Sequence, residues 1–102
     1  MVKHCVLLKF GPDADPVAIE ACFAELAALG STIRGLLDFH GGANTSPEGL
    51  NRGYTHGFVM TFETAEARDA YLPHPDHQAA AGKLVALTEG GVEGILVLDF
   101  EA

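Results

Sequence analysis

The side chains best suited to moving protons are concentrated in three short segments of the sequence. His4 lies in HCVLLKF, His56 lies in GYTHGFVMTFE, and the segment YLPHPDH contains Tyr71, His74 and His77. A histidine acts as a base near neutral pH, and a tyrosine hydroxyl can donate a hydrogen bond to a developing oxyanion. Such a pair suits the removal of a proton next to a carbonyl group.

The elements that position these residues can be read from the spacing of apolar side chains. Apolar residues alternate or form dense runs in four segments, which we predict as strands over 2–10, 33–43, 54–63 and 92–100. The first helix is predicted to begin with Asp15 as its cap and Pro16 in its first turn, and to end at Gly30. Thr64 is predicted to cap a short second helix, and a further helix is predicted over 76–88.

This order of elements, β-α-β-β-α-β, predicts an α+β fold of the ferredoxin-like kind with a four-stranded antiparallel sheet. A chain of 102 residues fits a single domain over 1–102. Helices would cover one sheet face, but three of the strands carry apolar residues on both faces. Because the second face would otherwise be an exposed apolar patch, we expect it to pair with the sheet of a second copy, giving a homodimer.

Strand alternation places His4 and His56 on the same face as strong apolar neighbours, which we expect to point toward the helices. His77 shares a helical stripe with apolar residues, and Tyr71 ends the short helix on its inner side. Three imidazoles and one phenol are therefore predicted to converge in a small-molecule pocket between sheet and helices. The apolar residues expected around them are Val6, Leu8, Phe23, Phe58 and Leu84.

Each of these residues also has a structural interpretation. His4 and His56 could simply hydrogen-bond a neighbouring group, and the Tyr71 hydroxyl could be satisfied within a core. His74, which lies between two prolines, could cap or brace the turn. The spacing of His74 and His77 spans a proline and is not a recognised ligand pattern, so no metal site is predicted.

Composition excludes several classes of partner. The chain has 14 Asp plus Glu against 6 Lys plus Arg, a formal charge of -8, which predicts repulsion from nucleic acids and from anionic membranes. No apolar run approaches the roughly 20 residues of a membrane span. The first residues are already strand-like, so we expect no signal peptide. Cys5 and Cys22 lie in apolar patterns typical of buried free thiols, which suit a reducing compartment. We therefore expect a cytoplasmic location.

The segments HCVLLKF, GYTHGFVMTFE, YLPHPDH and VLDF, in this order, resemble the stress-responsive dimeric α/β barrel family, often called Dabb. The resemblance covers nearly the whole chain. It implies a homodimer in which two sheets face each other as a barrel, with a cavity between the sheet and helices of each protomer. A plant polyketide cyclase of this family uses a tyrosine and a histidine for an aldol closure, and the matching residues here are Tyr71 and His77. That enzyme also has histidines matching His4, His56 and His74.

Two classes of function remain open. The first is a cofactor-independent, cyclase-like or lyase-like enzyme acting on a small carbonyl-bearing or aromatic molecule. Tyr71 would stabilise the oxyanion, His77 would be the base, and His4 and His56 would orient them. The related antibiotic-type monooxygenases share the barrel and need no cofactor, but no motif here favours their activity. The second class is a non-catalytic stress or small-ligand-binding protein. No cofactor is predicted in either case.

Overall fold

Four strands and three helices build the chain in the computed structural model, which covers Met1 to Ala102. The elements in chain order are β1 (Val2–Leu8), α1 (Pro16–Ala28), β2 (Leu36–Ala43), β3 (His56–Phe62), α2 (Ala65–Tyr71), α3 (Pro75–Leu87) and β4 (Ile95–Glu101). This order confirms the predicted βαββαβ, ferredoxin-like arrangement, with the second helical region divided in two.

The strands form one antiparallel sheet in the order β2-β3-β1-β4. In this register His4 on β1 lies between Met60 on β3 and Asp99 on β4, whereas Leu8 is the residue opposite His56. The even-numbered side chains of β1 are buried because strand alternation turns them toward the helices, and the central position of β1 gives them a neighbouring strand on each side.

Side-chain caps fix the start of each helix. The Asp15 carboxylate accepts a hydrogen bond from the backbone N–H of Val17 at 3.0 Å, and Thr64 Oγ1 accepts from the N–H of Ala67 at 3.1 Å. Both caps were predicted from sequence. A cap satisfies backbone donors that have no partner within the helix, so these residues determine where the helices begin.

Several predicted strand boundaries were wrong by a few residues, including both ends of β3, which was predicted over 54–63. Phe10 lies beyond the end of β1 and forms only an isolated bridge with Thr88. Ile33 is buried but precedes β2, because Gly35 adopts a φ of 86° and bends the chain just before the strand. Val92 lies in a 3₁₀ turn before β4. In each case an apolar residue marks burial or a turn rather than strand pairing.

The sheet face opposite the helices carries a continuous apolar surface, which we call the open sheet face. Its large apolar side chains are Leu7, Val59, Leu96, Leu98 and Phe100, each 37–60% exposed. The strand register brings them together, since Leu7 is opposite Leu96 and Cys5 lies between Val59 and Leu98. The predicted presence of apolar residues on both faces of the sheet is therefore confirmed.

Candidate functional site

A cavity of about 200 Å³ lies between the sheet and helices α2 and α3. Most of its lining is apolar, including the predicted residues Val6, Phe58 and Leu84. The polar lining groups come from His4, Tyr71 and His77. The structure thus brings together two of the three imidazoles and the phenol that the sequence predicted to converge.

Tyr71 and His77 are in direct ring contact inside this cavity. Their ring centroids are 4.2 Å apart with an interplanar angle of 38°, and the Tyr71 ring also packs on Phe62 at 4.9 Å. Tyr71 is 1% exposed, and its hydroxyl has no hydrogen-bond partner in the protein. Since no fully buried polar side-chain atom lacks a partner, the hydroxyl reaches the accessible space of the cavity. Burial raises the pKa of Tyr71, so the phenol remains a hydrogen-bond donor.

The His77 ring is oriented by the turn between α2 and α3. Its Nδ1 lies 2.8 Å from the carbonyl oxygen of Leu72, which can only accept, so Nδ1 carries the proton. In the neutral ring Nε2 is therefore a proton acceptor. Burial lowers the pKa of His77, the Leu72 hydrogen bond opposes this change, and electrostatic repulsion between His77 and the imidazoles of His4 and His74 in their protonated forms lowers the pKa further. The net result is a neutral imidazole at pH 7.

His4 links the cavity to two charged residues that the sequence interpretation missed. His4 is 5% exposed, with its ring 6.2 Å from that of Tyr71, and its Nδ1 lies 2.7 Å from Asp99 Oδ1. Arg68 Nη1 donates to Asp99 Oδ2 at 2.8 Å. Burial acts to raise the pKa of Asp99, but the hydrogen bonds from Arg68 and His4 outweigh it and hold that pKa below the ordinary value. The sequence signal for this contact was Asp99 itself, a single carboxylate within the apolar run of β4.

His56 does not join this cluster, which corrects the predicted convergence of three imidazoles. On β1, His4 is opposite Met60, whereas Leu8 is opposite His56. Met60 and His56 are four residues apart on β3, a distance of about 13 Å. The His56 ring instead packs on Phe10 at 4.9 Å and on Phe23 at 6.0 Å. Leu8 is fully buried outside the cavity lining, and neither it nor Phe23 borders the cavity.

His74 has a local structural contact. Its Nδ1 accepts a hydrogen bond from the backbone N–H of Asp76 at 3.1 Å, which makes it the N-cap of α3. This is the capping position considered from the sequence. The cap fixes the first turn of the helix that carries His77, three residues further on, and so supports the placement of that ring over Tyr71.

Comparison with known proteins identifies the family. The model of the stress responsive A/B barrel domain, Dabb, matches residues 2–102. This chain belongs to the Dabb family. The stress-response A/B barrel domain-containing protein HS1 of Arabidopsis thaliana is 36% identical to it over 100 residues, which are 98% of this chain and 88% of that protein. The resemblance inferred from the four sequence segments is thereby confirmed.

Two further relatives of this Dabb domain bear on its interpretation. Olivetolic acid cyclase of Cannabis sativa is 32% identical over 76 residues, covering 74% of this chain and 75% of that enzyme. A solved structure from Jannaschia sp. CCS1, described as a dimeric ferredoxin-like protein of unknown function, superposes with a TM-score of 0.91 at 38% identity. It covers 99% of this chain and 98% of that one. No helix of this Dabb domain is long and apolar enough to cross a membrane.

Proposed function

We propose that this Dabb domain is a cofactor-independent acid–base catalyst, cyclase-like or lyase-like, that acts on a small carbonyl-bearing or aromatic molecule. The observation that carries the proposal is the contact between Tyr71 and His77 in an apolar cavity. There a phenol with no protein hydrogen bond lies 4.2 Å, centroid to centroid, from an imidazole whose Nε2 can accept a proton. The similarity to an enzyme named olivetolic acid cyclase supports the same reaction class.

The proposed reaction uses these two side chains in complementary roles. His77 Nε2 removes a proton from the carbon next to a carbonyl, while the Tyr71 hydroxyl donates a hydrogen bond to the carbonyl oxygen as negative charge develops there. The resulting enolate carbon forms a bond to a second carbonyl carbon of the same molecule. The oxygen of that second carbonyl takes the proton back from His77, so the base is regenerated and no oxidant or reductant is needed.

The cavity also restricts the kind of molecule that would bind. Its volume of about 200 Å³ is below the roughly 300–1,000 Å³ of sites for drug-sized ligands. Its walls are apolar apart from His4, Tyr71 and His77, and no lysine or arginine lines it. These features favour a small, neutral, largely apolar or aromatic molecule, with Val6, Phe58 and Leu84 as contact residues.

A second candidate function is the binding of such a molecule without turnover. The predominance of apolar lining favours it, because an apolar cavity binds small ligands whether or not chemistry follows. In that case Tyr71 and His77 would fix the orientation of the ligand, and no proton transfer would take place.

A screen of small ketones, phenols and related carbonyl compounds by thermal shift tests both candidates. The wild type is compared with Tyr71→Phe, His77→Ala and the control Glu20→Ala, which changes an exposed residue of α1 outside the cavity. Stabilisation of the wild type and the control, but not of His77→Ala, supports binding in the cavity. Each compound that stabilises the wild type is then incubated with the four proteins and assayed for product. Turnover that is lost in both cavity variants supports catalysis, and binding with no turnover supports the second candidate. Equal stabilisation of all four proteins, with turnover unchanged in both cavity variants, would contradict both.

We further propose that two copies associate through the open sheet face. This arrangement would bury the five apolar side chains that now face solvent, and the similar structure from Jannaschia sp. is described as dimeric. Leu98→Glu places a charge in that face and is expected to yield monomers in sedimentation velocity at micromolar concentration. The control Val17→Glu, on an α1 residue that is 72% exposed, is expected to remain dimeric. A monomeric wild type would refute the proposal.

A further inference from the structure

Asp99 and Arg68 have no role in the reaction proposed above, although they are connected directly to the cavity. Asp99 contacts His4 through Oδ1 and Arg68 through Oδ2, at 2.7 and 2.8 Å, so both of its oxygens are occupied. The side chains of His4 and Asp99 are only 7% and 19% exposed. The three residues form a chain that begins at α2, crosses β4 and ends at a ring in the cavity lining.

This chain determines which nitrogen of His4 carries the proton. A carboxylate only accepts hydrogen bonds, so His4 Nδ1 must donate to Asp99. Nε2 of the neutral ring then has a free lone pair. Nε2 has no hydrogen bond in the protein, and no fully buried polar atom lacks a partner, so it reaches the accessible space of the cavity.

We propose, on the basis of the function proposed above, that Asp99 is a positioning residue that holds His4 in the Nδ1–H form, and that Arg68 keeps Asp99 ionised. His4 Nε2 then accepts a hydrogen bond from the substrate. Because Tyr71 donates and His4 accepts within one cavity, the substrate carries a hydroxyl or enolic O–H in addition to its carbonyl group. Two other charged or titratable groups lie beside this chain of residues. Asp69 Oδ1 accepts a hydrogen bond from Arg68 Nε at 2.9 Å on the exposed side. His77 is close enough to His4 for a charge on His4 to affect its pKa.

The direction of the Arg68 contact makes Asp99→Asn a sharp test. The guanidinium can only donate, so it would take the single carbonyl oxygen of the new amide and leave the NH₂ group facing His4 Nδ1. Nδ1 would then have to accept, and His4 would change to the Nε2–H form, which cannot accept a hydrogen bond from the substrate. The backbone geometry would be unchanged.

The measurement is long-range ¹H–¹⁵N correlation NMR of the full chain, without ligand, which distinguishes the two forms of a neutral histidine. We expect the Nδ1–H form of His4 in the wild type and in the control Asp69→Asn, and the Nε2–H form in Asp99→Asn. Arg68→Gln is expected to keep His4 in the Nδ1–H form and to raise the pKa of Asp99 toward its ordinary value. The pKa of Asp99 is measured from its carboxyl ¹³C chemical shift between about pH 3 and pH 7. Nε2–H in the wild type, or Nδ1–H retained in Asp99→Asn, would overturn the inference.

A kinetic measurement separates this inference from the function on which it rests. With a hydroxyl-bearing ketone that is turned over, Asp99→Asn is expected to raise KM at least about tenfold with a smaller change in kcat, because His4 no longer accepts the substrate hydroxyl, and Asp69→Asn is expected to leave both unchanged. A reversed His4 form with unchanged KM would refute the role of Asp99, while the proposed Tyr71 and His77 chemistry would stand. Absence of turnover with any carbonyl compound, together with the expected NMR result, would instead refute the catalytic function alone.

Discussion

Removing the Tyr71 hydroxyl is expected to leave the fold intact and to remove the activity. The hydroxyl has no hydrogen-bond partner in the protein, so Tyr71→Phe strands no donor or acceptor. The ring contacts with Phe62 and His77, at centroid distances of 4.9 and 4.2 Å, are retained. We expect the free energy of unfolding to change by less than about 0.5 kcal/mol. Tyr71→Ala removes those contacts as well and is expected to cost about 3–5 kcal/mol.

The same substitution should have a much larger effect on catalysis. A hydrogen-bond donor aimed at a developing oxyanion raises kcat by a factor of about 10²–10³. One hydrogen bond to the neutral carbonyl of the bound substrate contributes only about 1 kcal/mol to the binding free energy. Tyr71→Phe should therefore lower kcat strongly and change KM by less than about tenfold. Urea denaturation and steady-state kinetics measure the two effects on the same protein.

Alkaline pH provides a check on the burial of this phenol. Because burial raises the pKa of Tyr71, the folded protein keeps the phenol proton at pH values where the unfolded chain releases it. The resulting stability is present below the ordinary pKa of 10.0 and is lost as the pH rises above it, so Tyr71→Phe should lose less stability there. An unfolding free energy lowered by more than about 1.5 kcal/mol at pH 7 in Tyr71→Phe would refute the reasoning, since it would mean that the hydroxyl has a protein partner.

Two further predictions concern acid stability and backbone conformation. Burial lowers the pKa of His77, so the unfolded chain binds a proton at higher pH than the folded chain does, and the free energy of unfolding falls as the pH drops below 6.5. Urea denaturation at pH 7 and at about pH 5 should therefore show a smaller loss of unfolding free energy in His77→Gln than in the wild type. Gly35→Ala should cost more than about 2 kcal/mol, because φ is 86° and the added Cβ would lie 2.5 Å from that of Ala67. Gly82→Ala, in an open helical position, should instead stabilise by about 0.5–1 kcal/mol, and urea denaturation at pH 7 measures both glycine variants.

The side of the sheet on which a residue lies could be predicted from the sequence, but its position along the strands could not. Alternation in β1 correctly placed His4 under the helices, because successive side chains point to opposite faces. Which β3 residue lies opposite His4 depends on strand register, and no alternation pattern fixes that register between strands separated by two other elements. The sequence therefore placed His56 on the correct face of the sheet but wrongly beside the cavity, which its side chain does not line.

The same limit explains why the carboxylate partner of His4 was missed. Asp99 and His4 are 95 residues apart in sequence, and their contact exists because β4 pairs with β1 in one particular register. The sequence segment VLDF was recognised as part of the family pattern, but a pattern gives no partner for its aspartate. Arg68 was less predictable still, since an arginine on a short helix has no periodic signal that distinguishes it from an ordinary solvated charge.

The register of β1 couples the candidate site to the proposed dimer. Val2, His4, Val6 and Leu8 face the helices, whereas Cys5 and Leu7 belong to the open sheet face. A shift of β1 by one residue would exchange these two sets, removing His4 from the cavity and placing it on the open sheet face. Any assembly that buries the open sheet face therefore penalises such a shift, because Leu7 would leave the interface at the same time. Dimer formation would in this way stabilise the strand register on which the contact between His4 and Asp99 depends.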